Sequence, residues 1–231
     1  MDYLLKQNLI SPTQYAFRPN SNTTLALQTV LNNIHKRKKD REPILAIYID
    51  LSKAYDTVSH TKLLQKLQTE FNFTPEATAF FGSYFRNRQQ ETHTQNATSE
   101  KREITHGIPQ GSTLSTTLFL LYINNIVKTV PNSTVYTYAD DTTLIITAKT
   151  MTDLQTLSQT ELNSLIKYFH TNNLVPNPTK TQYTIFHQPR TIPPQVLELN
   201  ITNTTLEHTD TAKLLGIYIQ SDLKHEKTIA S

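Results

Sequence analysis

The chain has 231 residues, 37% hydrophobic and 18% charged, with a net charge of +3. That is enough for one large domain or two subdomains sharing a core, and the mildly basic balance permits a polyanionic partner without requiring one. The absence of cysteine excludes disulfides and Cys-based zinc sites, and the longest apolar run, Leu118 to Ile123, is far too short to span a bilayer.

The opening M-D-Y-L-L-K-Q-N lacks the apolar core of a signal peptide, so an intracellular protein without a membrane partner is expected, nuclear or cytoplasmic. The oligomeric state is left open. Leu27, Val30, Leu31 and Ile34 fall at helical spacing and predict an amphipathic helix over 23–36. It runs into H-K-R-K-K-D-R at 35–41, which reads either as a solvated helix end or as a phosphate-facing patch.

Pro43 ends that helix. I-L-A-I-Y-I-D (44–50) is a continuous apolar run closing on Asp50, the pattern of a buried central strand. A helix over 60–69 carries Leu63, Leu64 and Leu67. Another starts at Thr74-Pro75-Glu76, with Thr74 as N-cap and Pro75 in the first helical position. Its expected apolar face is Ala77, Phe80, Phe81, Tyr84 and Phe85. The polar stretch 89–106 reads as a hairpin or loop, and a helix carrying Leu114, Leu118 and Leu121 follows G-I-P-Q-G-S at 107–112.

Val135–Tyr138 and Thr143–Thr147 predict a hairpin around Asp140-Asp141. A helix over 152–171 is stopped by Asn172-Asn173, Pro176 and Pro178. Short strands are expected at 183–186, 196–201 and 214–219. This mixed order fits an α+β fold, an antiparallel sheet covered by helices on one face.

Asp50 ends one strand and Asp140-Asp141 cap another pair. If those strands are neighbours, carboxylates gather at one sheet edge, a costly arrangement unless cations neutralise it. Hard divalent ions with oxygen ligands do so, and two of them about 4 Å apart clamp both oxygens of an in-line phosphoryl transfer. Asp-Asp is also a common turn dipeptide, so the pair alone does not decide between the readings.

Context adds more. Y-A-D-D (138–141), A-I-Y-I-D-L-S-K-A-Y-D-T-V-S-H (46–60) and G-I-P-Q-G-S-T-L-S-T-T-L-F (107–119) resemble the reverse transcriptases, and most closely those of non-LTR retrotransposons. Q-Y-A-F-R-P-N-S-N-T-T-L-A-L (14–27), N-P-T-K-T-Q-Y-T-I-F (177–186) and A-K-L-L-G-I-Y-I (212–219) resemble further motifs of that family, in the same order. The resemblance implies an RNA-directed DNA polymerase with a palm (43–57 and 107–224) and fingers (1–42 and 58–106). Primer-grip strands lie near 212–219, and 225–231 begins a thumb connection. The chain stops just beyond the primer grip, which reads as a fragment of a larger polyprotein.

The resemblance also implies roles. Asp50, Asp140 and the carbonyl of Leu51 bind two Mg²⁺ ions, with Mn²⁺ as a substitute, and Asp141 completes the cluster. Tyr55 stands against the sugar C2′ and selects deoxynucleotides, unless it is simply core packing. Gln110 and Gly111 contact the incoming deoxynucleoside triphosphate. Lys180 protonates the departing pyrophosphate, with an ordinary surface lysine as the alternative. Arg18 grips the triphosphate or template, while Leu215 and Gly216 shape the turn that positions the primer end. The implied partners are an RNA template and a DNA primer.

The sequence departs from the family pattern at several places. Ala16 replaces a usual glycine before Phe-Arg, Ser21-Asn22 lacks the usual basic residue, Ser59 precedes His60, and Thr113 and Thr116 replace an aliphatic residue and a proline. Two other functions stay open. One is a catalytically inactive remnant that at most binds nucleic acid. The other is an RNA-dependent RNA polymerase, against which Tyr55 and Ala139 speak.

Overall fold

The computed structural model describes residues 1–39, 42–109, 111–186, 195–223 and 226–228. In chain order its helices are α1 (Asp2–Lys6), α2 (Thr23–Lys39), α3 (His60–Thr69), α4 (Pro75–Phe85), α5 (Thr113–Ile123), continued by a 3-10 turn at Asn124–Thr129, and α6 (Met151–Thr171). Its strands are β1 (Ile44–Ile49), β2 (Leu51–Ser52), β3 (Gln89–Gln90), β4 (Arg102–Glu103), β5 (Thr134–Tyr138), β6 (Asp141–Thr147) and β7 (Val175–Pro176). They continue with β8 (Gln182–Phe186), β9 (Asn200–Ile201), β10 (Thr204–Thr205), β11 (Glu207–His208), β12 (Thr211–Leu214), β13 (Ile217–Gln220) and β14 (Glu226–Thr228).

The main sheet runs β11-β8-β1-β6-β5, with β1 at its centre between two antiparallel neighbours. A strand paired on both sides and packed on both faces has no solvent side, which is why 44–49 is apolar throughout rather than alternating. Leu45, Ile47 and Ile49 join Leu118, Phe119 and Tyr122 of α5 and Leu162, Leu165 and Phe169 of α6 in one cluster. Ile44 and Ala46 join Leu27, Val30, Leu31 and Ile34 of α2 and Leu214 and Ile219 of the β12–β13 hairpin in another. Burying one such Leu or Ile side chain is worth about 1.5–3 kcal/mol.

Several expectations need correction. Helices cover both faces of the sheet, because α2 and the β12–β13 hairpin seal the face opposite α5 and α6. The sheet has one parallel edge, β11 on β8, because the chain crosses back through β9–β10 before pairing there. In α4 the expected apolar face is only partly used: Phe85 is buried, whereas Phe80 is 60% exposed. Of 196–201 only Asn200–Ile201 is strand. There α6 takes the place of a neighbouring strand. The Gln155 carboxamide donates to Glu198 O and accepts from Glu198 N, and Gln159 does the same with Asn200. The four helical steps from Gln155 to Gln159 rise about 6 Å, close to two strand residues, so the two amides keep register with the backbone.

The caps follow the sequence. Asn22 accepts from Leu25 N at 2.8 Å, Ser59 from Lys62 N and Thr74 from Ala77 N. Among the described residues no helix is long and apolar enough to cross a membrane.

Candidate active site

The β1–β6 register pairs Ile49 with Thr142. Asp50 is one residue beyond the first and Asp141 one residue before the second, so the ladder itself sets these two carboxylates side by side. Asp140 sits on the two-residue turn between β5 and β6, whose last pair is Tyr138 with Asp141. The first turn residue, Ala139, has φ +55°, at a place where hairpins of this length usually take glycine.

Asp50, Asp141, Lys180, Gln182 and Leu215 line one depression of about 150 Å³. Loss of hydration raises the Asp141 carboxyl above its ordinary range, and repulsion from Asp140 and Asp50 raises it further. Among the described residues no three Asp, Glu, His or Cys side chains form a ready-made metal cage. The donor set is nevertheless all oxygen and mutually repulsive. Mg²⁺ characteristically takes one or two carboxylates together with substrate phosphates, so this set fits it.

Tyr55 lies beyond the strand end, stacked on Phe119 of α5 with ring centroids 4.4 Å apart and planes 17° apart. Burial, then the negative charge of Asp140, pushes its phenol up to about 12. The ring therefore lies within electrostatic reach of Asp140. Leu51, in β2, pairs with Pro176 of β7. Asp50 O accepts from Asn177 N at 2.8 Å, which ties the start of the 177–186 motif to the carboxylate strand and brings Lys180 to the depression.

Leu215 and Gly216 are the two central residues of the β12–β13 turn, with φ +49° and +87°. Two positive φ values in a two-residue loop match the backbone twist of a hairpin, and the leucine bears the strain. Its side chain reaches the depression lined by Asp50 and Asp141.

Gly107 donates to Val58 O, and its carbonyl faces Nε2 of His60 at 2.6 Å; His60 stacks on Phe85. Gly111 follows with φ +82°, and Gln110 between them lies outside the described residues. Asp40 and Arg41 of the basic cluster, and 225 and 229–231 of the expected thumb connection, lie outside them as well. Arg18 is turned inward on its own loop: its Nη1 donates to Ser11 O at 3.0 Å and Gln14 O at 2.7 Å. The positive φ near it falls on Phe17, at +54°, so Ala16 is not strained by its missing glycine.

Two contributors escaped the sequence reading. Phe119 was one apolar residue in a helix that is apolar all round, with nothing to single it out. Gln14 opens a motif, but only the fold shows its carboxamide reaching the carboxylate turn, where Oε1 accepts from Ala139 N at 3.3 Å.

Residues 1–219 match the family described as "Reverse transcriptase (RNA-dependent DNA polymerase)". The chain belongs to that family. Among its relatives are the "Probable RNA-directed DNA polymerase from transposon BS" of Drosophila melanogaster, 25% identical over 96% of this chain and 25% of the relative. The "RNA-directed DNA polymerase from mobile element jockey" of the same species is 24% identical over 94% of this chain and 24% of the relative. Both relatives are named as polymerases of mobile elements, and the chain spans about a quarter of their length. Among solved structures, apo telomerase from Candida tropicalis superposes with a TM-score of 0.64 at 14% identity, covering 98% of this chain and 39% of that one. Telomerase from Candida albicans in complex with a TWJ fragment of telomeric RNA gives 0.59 at 11% identity, covering 94% and 35%. At such identities the likeness establishes the fold alone.

Proposed function

We propose that this chain is the catalytic core of a non-LTR retrotransposon RNA-directed DNA polymerase. It extends the 3′-hydroxyl of a DNA primer with deoxynucleoside triphosphates along an RNA template. The observation that carries the reading is the strand register, which sets Asp50 beside Asp141 with Asp140 on the adjoining turn. In this reading 43–57 and 107–224 are the palm, and 1–42 and 58–106 the fingers.

Asp50, Asp140, Asp141 and the carbonyl of Leu51 would hold two Mg²⁺ ions, or Mn²⁺ in their place. When bound, the ions supply positive charge at the attacking and leaving oxygens. The residues of the chain do the rest. The carboxylates would fix, through the ions they hold, where the primer end and the triphosphate meet for in-line attack: the 3′-hydroxyl gives up its proton to solvent, its oxygen bonds to the α-phosphorus, and the bond to pyrophosphate breaks. Lys180, on the same depression, meets the departing charge with its ammonium. Tyr55 occupies the space a 2′-hydroxyl would need. Leu215 and Gly216 seat the primer terminus, while Gln110 and Gly111 approach the incoming nucleotide and Arg18 supports the fingers loop.

Primer extension on an RNA template with Mg²⁺ or Mn²⁺, beside Asp140→Asn, tests this. Incorporation by the wild type and none by the variant is expected. Equal incorporation by both would sink the enzymatic reading, leaving at most a nucleic-acid-binding remnant.

A further inference from the structure

Ala139 holds a left-handed backbone without being glycine, in the turn that carries Asp140. Such a conformation costs an L-residue about 1–2 kcal/mol and persists only where its surroundings enforce it. The enforcement comes from a distant segment. Residues 13–15 pair in parallel with the sheet edge: Thr137 N donates to Thr13 O and Tyr15 N donates to Thr137 O, both at 2.9 Å. From that position the Gln14 side chain, 1% exposed, runs along β5 to the turn. Its Oε1 accepts from Ala16 N at 3.0 Å and from Ala139 N at 3.3 Å. Nε2 has no partner, and flipping the amide would set it against two donors, so the network fixes the acceptor role.

The loop is held in turn. Arg18 Nη1 clasps the carbonyls of Ser11 and Gln14, and Ser21 Oγ donates to Tyr15 O at 2.6 Å. Ala16, Ala139 and Leu120 pack together, and the two small side chains allow the close approach. We infer that Gln14 is a positioning residue whose carboxamide, accepting from Ala16 and Ala139, holds the Ala139 turn in the conformation that aims Asp140 beside Asp50 and Asp141. This rests on the proposed carboxylate site. Arg18 acts in the same chain of contacts, bracing the loop that carries Gln14.

The test uses the whole chain and Mn²⁺ alone, read by electron paramagnetic resonance, with Asp141→Asn to define the site. Gln14→Leu removes the acceptor at similar volume, and Ala139→Gly makes the left-handed turn free of strain. Val30→Ala, in the other core cluster, serves as a control of comparable destabilisation. Gln14→Leu is expected to weaken Mn²⁺ binding about tenfold, the usual effect of losing a group that orients a ligand. Adding Ala139→Gly should recover most of that loss, while Val30→Ala should bind as the wild type does. Binding by Gln14→Leu within twofold of wild type overturns the inference, as does a loss that Ala139→Gly leaves untouched or that Val30→Ala matches. If the wild type binds no Mn²⁺, or Asp141→Asn binds it equally, the proposed site falls and the inference with it.

A second measurement needs no variant. Hydrogen exchange of the Ala139 amide in the wild type should run at least about a hundredfold slower than an unprotected amide. Exchange at the unprotected rate overturns the inference whether or not Gln14→Leu folds.

Discussion

Tyr55 lies flat on Phe119, with ring centroids 4.4 Å apart and planes 17° apart. Phe119 is completely buried in α5, so a packed helix fixes where the Tyr55 ring stands. Tyr55→Ala should lower discrimination against ribonucleotides by on the order of tenfold to a hundredfold, since selection by a clash disappears with the ring. Tyr55→Phe keeps the ring and should keep the discrimination. Phe119→Leu, which leaves Tyr55 unsupported, should fall between them. Primer extension with matched ribo- and deoxynucleotides reads all three.

The raised Asp141 carboxyl has a direction that stability measurements can follow. A folded-state value above the unfolded one means that the native state holds its proton longer. Stability is then present below the unfolded value and is lost as pH rises through the folded one. At neutral pH without divalent ions, Asp141→Asn should therefore be more stable than the wild type. The residue as a whole stays solvent-exposed although its carboxyl loses part of its hydration, so screening keeps the gain below roughly 1 kcal/mol. Mg²⁺ should raise the wild-type melting temperature and leave that of the variant nearly unchanged. Thermal unfolding with chelator and with Mg²⁺ decides it.

Gly107 and Gly111 bound the same loop under different constraints. At Gly107, with φ +89°, a Cβ would lie 2.9 Å from the backbone carbonyl oxygen of Asp56; at Gly111, with φ +82°, it would meet nothing within 4 Å. Gly107→Ala should cost roughly 2–4 kcal/mol, since it adds a backbone clash to the strain. Gly111→Ala should cost only about 1–2 kcal/mol, from the φ value alone. Urea denaturation of both variants measures the difference, and equal losses would contradict the geometry.

Lys66 ties α3 to α5 and α6. Its ammonium donates to Tyr122 O at 2.6 Å and lies 5.1 Å and 5.3 Å from the Tyr122 and Tyr168 ring centroids. Burial lowers it to about 8, with Glu70 pulling upward and Lys62 pushing further down. Between that value and its ordinary one the unfolded chain binds more protons than the native state, so stability rises with pH across this window. The rise should approach the order of 2 kcal/mol by about pH 9.5, before the tyrosines titrate, and Lys66→Met should abolish it. Urea midpoints at about pH 7.5 and 9.5 test the slope.

Much of the secondary structure was legible because its signals are local. Thr74 and Pro75 open α4 where a cap and a first-turn proline belong, His60–Thr69 matches its leucine spacing, and β1 declares itself by an unbroken apolar run. The exposed Phe80 was misread because spacing marks a face without showing how much of it finds a partner. The 196–199 segment was misread as strand because its neighbours are the glutamine amides of α6, which no strand pattern encodes.

By itself the sequence determined the carboxylates, the hairpin that holds two of them, the order of the family motifs and the helices that carry the core. These depend on residue type and short-range spacing. Tertiary structure alone decided that Asp50 lies beside Asp141, that Phe119 backs Tyr55, and that Gln14 reaches the Ala139 turn from 125 residues away. Register, ring stacking and a buried amide bridging two backbone N–H groups are relations between distant segments, and they exist only once the sheet has chosen its neighbours.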